Sequence, residues 1–247
     1  NTALHYAILY QQDVSVVNLL IQSGCDVNAL NSDKQTALAM ALGSKQWNSL
    51  ESLIIAGANV GLNDKHGRSP LHIAIKTLDC PNNIIMSILD SPFCNVEYKT
   101  IAKRNALMEA VEFARDPAIL QRIIAKTADI NYCDASGMAP IHFACNGYHI
   151  NATTIKLLLS HPNINPNATT LGLWNGLTFA LRSKAPLDVV EALLDAGVDP
   201  NLMDTDNQDP FICAIQYHCQ LPIIQLLLPK ANIYKLYDHQ HTLHKEI

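Results

Sequence analysis

The chain has 247 residues, 49% hydrophobic and only 16% charged, against a usual charged share of about 25%. That supplies a core and excludes the low-hydrophobicity, high-charge class of disordered chains. Seventeen Lys and Arg against 22 Asp and Glu give a formal charge of -5, which argues against a broad basic footprint for nucleic acid. No apolar run approaches the ~20 residues of a membrane span, so no direct membrane insertion is expected.

In chain order, the first helical segment opens at Thr2-Ala-Leu-His-Tyr-Ala7, and the same block returns along the whole sequence. It reappears at Thr36–Ala41, Ser69–Ala74, Asn105–Ala110, Ala139–Ala144, Asn175–Ala180 and Asp209–Ala214, with an eighth start at Thr242-Leu-His244. Its apolar anchor is Leu4, Leu38, Leu71, Leu107, Ile141, Leu177, Phe211 and Leu243, with spacings of 34, 33, 36, 34, 36, 34 and 32 residues. Chance does not produce that series, and a fixed period of this size marks a repeat architecture.

Each block is followed by an apolar cluster at helical spacing, such as Val16-Val17-Leu19-Leu20, Leu50-Leu53-Ile54, Ile119-Leu120-Ile123-Ile124 and Val189-Val190-Leu193-Leu194. Leucines three and four apart share one helix face. Gly24, Gly57 and Gly197 then stand where a helix is stopped by a left-handed residue. Every unit therefore reads as a short helix, a turn, a second apolar helix and a polar loop. Pro70, Pro140 and Pro210 suit a first helical turn, where the missing N–H has no helical partner. Neither helix can bury its apolar face alone, so neighbouring units must stack.

These residues resemble the ankyrin repeat, with its 33-residue period and T-P-L-H-x-A signature. Ser69-Pro-Leu-His-Ile-Ala74 after Asp64-Lys-His-Gly67, and Ala139-Pro-Ile-His-Phe-Ala144 after Asp134-Ala-Ser-Gly137, carry the likeness most closely. It implies an all-α solenoid of stacked helix-turn-helix units with projecting finger loops and a concave face lined by the first helices. On that basis the chain is a single array with units of about 1–35, 36–68, 69–104, 105–138, 139–174, 175–208 and 209–241, and the start of another at 242–247. The third and fifth units are lengthened and carry Ser91-Pro92 and His161-Pro162 in place of the glycine, so their fingers are expected to differ. Lys126-Thr127 and Pro229-Lys230 also replace the glycine, and Trp174-Asn-Gly176 replaces the Thr-Pro entry. Both ends lack a polar terminal unit, which suggests a piece of a longer chain.

Candidate chemistry is thin. His5, His72, His142 and His244 recur at one repeat position and are expected to hydrogen-bond loop backbone as framework residues. Cys213, His218, Cys219, His239 and His241 are zinc-type ligands without a standard spacing, and no metal is expected. The seven cysteines are an odd number spread without a C-x-x-C pair, which fits a reducing, cytoplasmic compartment. Two Asn-x-Thr triplets, at Asn151 and Asn167, matter only in the secretory pathway. No nucleophile elbow, metalloprotease or phosphate-cradling motif is present, so neither catalysis nor a cofactor is expected. Asp204 and Asp206 read as solvated finger residues, and Lys99, Lys103 and Arg104 as a small basic group in a loop. Asn28, Asn131 and Asn201 match a position that asparaginyl hydroxylases modify in ankyrin repeats generally, but turn stabilisation accounts for them and no sequence feature requires the modification.

In this family partners usually lie across the concave face and finger tips. The positions that the repeat leaves free there include Tyr10, Lys76, Glu112, Phe113, Arg182 and Tyr217, with Glu109 adding acidity beside Phe113. Large aromatics with Arg and Lys nearby are the types enriched at interface hot spots. The expected function is a non-catalytic scaffold that binds a partner protein or linear peptide. Two alternatives are a substrate-recruiting arm of a larger enzyme or secreted bacterial effector, and a structural spacer in a channel or cytoskeletal adaptor.

Overall fold

A computed structural model describes residues 1–64, 66–147 and 149–231. The beginning of an eighth unit, with His244, and the residues His239 and His241 lie outside them. The described residues form fourteen α-helices and a closing 3-10 turn, with no strand. The chain falls into two compact bodies, 1–135 and 136–247.

The first body holds four helix pairs: α1 (Ala3–Leu9) with α2 (Val14–Gln22), α3 (Ala37–Gly43) with α4 (Trp47–Ile55), α5 (Pro70–Lys76) with α6 (Asn82–Asp90), and α7 (Ala106–Glu112) with α8 (Pro117–Ile124). The second holds three: α9 (Pro140–Cys145) with α10 (Ala152–Leu159), α11 (Gly176–Arg182) with α12 (Leu187–Asp195), and α13 (Pro210–Gln216) with α14 (Leu221–Leu227). Within each body, first helices pack on first helices and second helices on second helices. The repeat anchors Leu4, Leu38, Leu71, Leu107, Ile141 and Leu177 are at most 1% exposed. They form the seam between the two helix layers.

Local chemistry sets where each first helix starts. The side chains of Thr36, Asn105, Asn175 and Asp209 accept the backbone N–H three residues on, at 2.8 to 3.2 Å. An oxygen-bearing side chain there satisfies one of the donors that a helix start leaves unpaired. The expected stops are also in place, with Gly24, Gly57 and Gly197 at φ of 83°, 83° and 82°. A residue with a Cβ is strained in that conformation.

The lengthened units differ from the others in two places. Their finger turns close by the same hydrogen bond as the regular fingers: Thr100 N–H to Arg104 C=O at 2.9 Å and Thr170 N–H to Trp174 C=O at 3.0 Å, against 2.9 Å for Asn31 and Gln35. Part of the extra length sits in the turn between helices. Residues 77–81 join α5 to α6 and 146–151 join α9 to α10, whereas 44–46 suffice between α3 and α4. The rest lies in the finger, which runs 91–105 and 160–175 in these units against 56–69 after α4.

The recurring histidines do what their repetition implies. Ala139 N–H donates to His142 Nδ1 at 2.8 Å, which leaves the ring proton on Nε2, and Nε2 reaches the Ala168 carbonyl at 2.8 Å. His5 repeats the pattern, from Thr2 N–H at 3.1 Å to the Gln35 carbonyl at 2.9 Å. Each ring ties its own helix start to the next finger. At His72 the Ser69 hydroxyl lies 2.8 Å from Nδ1, while Nε2 falls short of hydrogen-bond geometry with the nearby Arg104 carbonyl.

Two outcomes test this framework. Leu71, 1% exposed, fills the seam, so Leu71→Ala should cost about 2–5 kcal/mol in chemical denaturation; a loss well below 1 kcal/mol contradicts the register. Burial, with the charges of Lys76 and Arg104, holds the His72 pKa down at about 4, against the opposing pull of the Arg104 carbonyl and Asp64. The unfolded chain takes up this proton near pH 6.5 and the folded chain only near pH 4. His72 therefore contributes fully above pH 6.5, and its share, on the order of 3 kcal/mol, is lost as pH falls through that window. His72→Gln should flatten that part of a stability–pH curve.

Candidate functional site

The sequence-selected residues lie at the ends of first helices and the bases of fingers, and the two bodies present them differently. In the first body, Tyr10 follows α1, is 68% exposed, and stacks on Tyr6 with ring centroids 6.1 Å apart and planes 10° apart. Leu9 beside them is 50% exposed. This is an open aromatic edge with no duty in the core. Phe113, the residue that closes α7, is only half-exposed.

Lys76, Glu109 and Glu112 come together, and Arg104 joins them. Lys76 Nζ lies 3.1 Å from Glu109 Oε2, Arg104 Nε is 3.5 Å from Glu109 Oε1, and Arg104 also pairs with Glu112. Glu109 is 1% exposed, which corrects its assignment as an accessible contact. It is a buried carboxylate flanked by two cations, whose charges offset its desolvation. Lys76 and Glu112 keep enough exposure to face a partner as well.

The basic loop group is likewise divided. Lys99 Nζ sits over the Tyr132 ring at 4.0 Å, Arg104 belongs to the carboxylate cluster, and Lys103 is exposed. They do not converge on one anion. Arg115, which the sequence reading passed over, is buried and fans its guanidinium over the end of α5. It donates to the carbonyls of Ala74 at 2.9 Å, Ile75 at 2.8 Å, Thr77 at 2.5 Å and Leu78 at 3.2 Å. The helix end thereby finds its missing donors in the next repeat.

In the second body, Arg182 ends α11 and Tyr217 follows α13. The guanidinium lies 4.0 Å from the Trp174 ring centroid and 4.9 Å from that of Tyr217. Trp174 meets Phe179 edge-on at 5.4 Å, and Phe179 in turn meets His142 at 5.6 Å. Trp174, in sequence an irregular finger entry, organises this cluster. Its signal was an indole where the repeat needs a small or polar residue.

Asp204 is corrected too. It is buried, and its Oδ1 accepts from Asp206 N–H and Gln208 N–H, both at 2.9 Å, as a turn-forming residue; Asp206 is exposed. All seven cysteines are free thiols. Burial pushes Cys213 up to about 11, and the Cys219 thiol points at the Leu181 carbonyl at 3.4 Å. No group of His, Cys, Asp or Glu among the described residues is arranged for a metal ion. No helix among them is long and apolar enough to cross a membrane. The finger asparagines serve neighbours: Asn28 Oδ1 accepts from Asn59 N–H at 2.7 Å, and Asn201 Nδ2 donates to the Lys230 carbonyl at 3.0 Å.

Paired short helices, polar-capped at the start, with a hydrogen-bonded finger between pairs, define an ankyrin-repeat protein. The family profile described as ankyrin repeats (3 copies) matches residues 4–100 and 107–204, and the chain belongs to this family. It is similar to the B-cell lymphoma 3 protein homolog of Mus musculus, 27% identical over an aligned length of 239, covering 94% of this chain and 51% of that protein. It is also similar to the transient receptor potential cation channel subfamily A member 1 of Homo sapiens, 33% identical over 246 residues, covering 84% of this chain and 21% of the channel. The solved ankyrin repeat domain of Bcl-3, described as a unique member of the IkappaB protein family, superposes with a TM-score of 0.70 at 26% identity, covering 92% of this chain and 98% of that one. The chain thus spans about half or less of the length of these curated relatives.

The carboxylate cluster generates a discriminating prediction. Arg104, 17% exposed, is shared by two carboxylates, one of them buried, so Arg104→Met should cost about 3–5 kcal/mol. Lys76, 41% exposed, leaves Glu109 its other cation, and Lys76→Met should cost under about 1 kcal/mol. Equal losses in denaturant titrations of the two variants contradict the shared role of Arg104.

Proposed function

We propose that this chain is a non-catalytic protein-interaction scaffold, a single array that holds a partner protein or peptide along the ends of its first helices and the bases of its fingers. One observation carries the reading. The framework needs no large side chain just after a first helix, yet Tyr10, Phe113 and Tyr217 stand there with a cation or second aromatic beside at least two of them. Lys76, Glu112 and Arg182 supply charge at the same helix ends. A contact across three or four repeats reaches the ~1,200–2,000 Å² of a stable interface. The free thiols suit a reducing compartment such as the cytoplasm.

A spacer role has one specific point in its favour, the likeness to part of a cation channel. In that reading stacking stiffness matters and no single surface does. Affinity capture from cell lysate with the wild-type chain and with the Phe113→Ala/Tyr217→Ala variant, read by mass spectrometry, separates the two. Recognition predicts proteins retained by wild type and depleted about tenfold or more with the variant, at unchanged helicity by circular dichroism. The same set on both baits, or nothing specific, removes this surface from the function and favours the spacer.

A further inference from the structure

The sequence contains five arginines, and four are paired with carboxylates or carbonyls by the fold. Arg68 pairs with Asp64, Arg104 with Glu109 and Glu112, Arg115 with four carbonyls, and Arg122 with Asp90. Arg182 is different. No carboxylate or carbonyl of the described residues lies within hydrogen-bonding or ion-pairing reach of it, and its contacts are the rings of Trp174 and Tyr217. Asp204 gives one carboxylate oxygen to two turn N–H groups and Asp209 gives one to the Ile212 N–H at 2.8 Å, and neither pairs with Arg182.

An aromatic contact on a guanidinium offsets part of its desolvation and fixes its plane, but leaves the N–H edge unsatisfied. A fixed planar fork of donors matches one ligand geometry above others, the two oxygens of a carboxylate. Beside it, Trp174 forms one wall of an open groove of about 340 Å³ that Met138, Thr170, Gly172 and Phe179 also line. That lining is mainly apolar. One indole therefore joins a poised cation to a hydrophobic trough.

We propose that Arg182, held by Trp174 and Tyr217, is a carboxylate-binding fork, and that the adjoining groove takes an aliphatic side chain of the same partner segment. The occupant is a linear peptide carrying Asp or Glu next to Leu, Ile or Met. The proposal rests on the scaffold reading above and names the partner class for the second body. Lysine cannot replace Arg182 in this role, because an ammonium has neither the flat face for the rings nor the paired donors.

The chain has two tryptophans, so a Trp47→Phe background leaves Trp174 as the fluorescent reporter at the site. Random linear peptides displayed on phage are selected on the chain, and the winners are made synthetically and titrated by Trp174 fluorescence. The expected winners share an acid beside an aliphatic residue. Replacing that acid by its amide, or Arg182 by Gln or Lys, should lower affinity about tenfold or more with Tm unchanged, and Arg182→Lys guards against mere loss of fold. Winners that keep their affinity after the amide or Arg182 changes overturn the fork while leaving a scaffold role intact. Phosphopeptides that outcompete their carboxylate counterparts assign the fork to phosphate instead and also overturn it. If no peptide is selected although lysate capture finds a protein at this surface, the occupant is a folded domain and the linear-peptide proposal fails; if neither finds a partner, the scaffold reading fails with it.

Discussion

Most helices of this protein are seven to nine residues long, and at that length the unpaired backbone groups of the two ends rival the bonds made inside. Isolated helices of this size do not persist in water. Everything else in the structure depends on how those ends are satisfied, and the answer is largely the neighbouring repeat. Gln46 donates to the Ile8 carbonyl at 2.7 Å, Arg115 to four carbonyls at the end of α5, and His5 and His142 reach a carbonyl in the following finger. Apolar burial supplies the drive to stack, whereas these bonds select the register in which stacking leaves no helix end unpaired.

The same constraint shapes the candidate surface. A residue on or beside a first helix can be claimed by the framework, as Arg104 and Glu109 are, or left outside it, as Tyr10 is. Sequence position does not distinguish these fates, because Glu109 and Glu112 sit three residues apart on the same short helix and differ in burial. The buried one is flanked by two cations and becomes structural. The half-exposed one shares a cation and still meets solvent.

The period, the all-helical pairing, the polar starts and the glycine stops were legible because each rests on chemistry within three or four residues. Thr36 and Asp209 cap their own helices, and Gly57 takes the left-handed conformation its position requires. Contacts between repeats were mostly not legible. Arg115 binds carbonyls about forty residues away, and nothing in Phe113-Ala-Arg-Asp116 announces it. Asp204 looked like a solvated loop acid because its residue type is common in turns, yet the finger closes over it. The recurring histidines were the exception among long-range contacts, since repetition itself revealed that the partner must recur too.

Trp174 and Arg182 show how a break in the repeat can be read physically. Where another finger would pass from a small residue into the helix, this one carries an indole, and its face is taken by a guanidinium from the end of the same helix. A framework arginine in this chain is recognisable by its carboxylate or carbonyl partners, which also consume its directional hydrogen bonding. Aromatic contact holds Arg182 without consuming it. An unspent donor fork costs stability in the free chain when part of its hydration is removed. The fold pairs its other four arginines with carboxylates or carbonyls and meets this one with rings alone, which leaves its directional donors open to the carboxylate we propose.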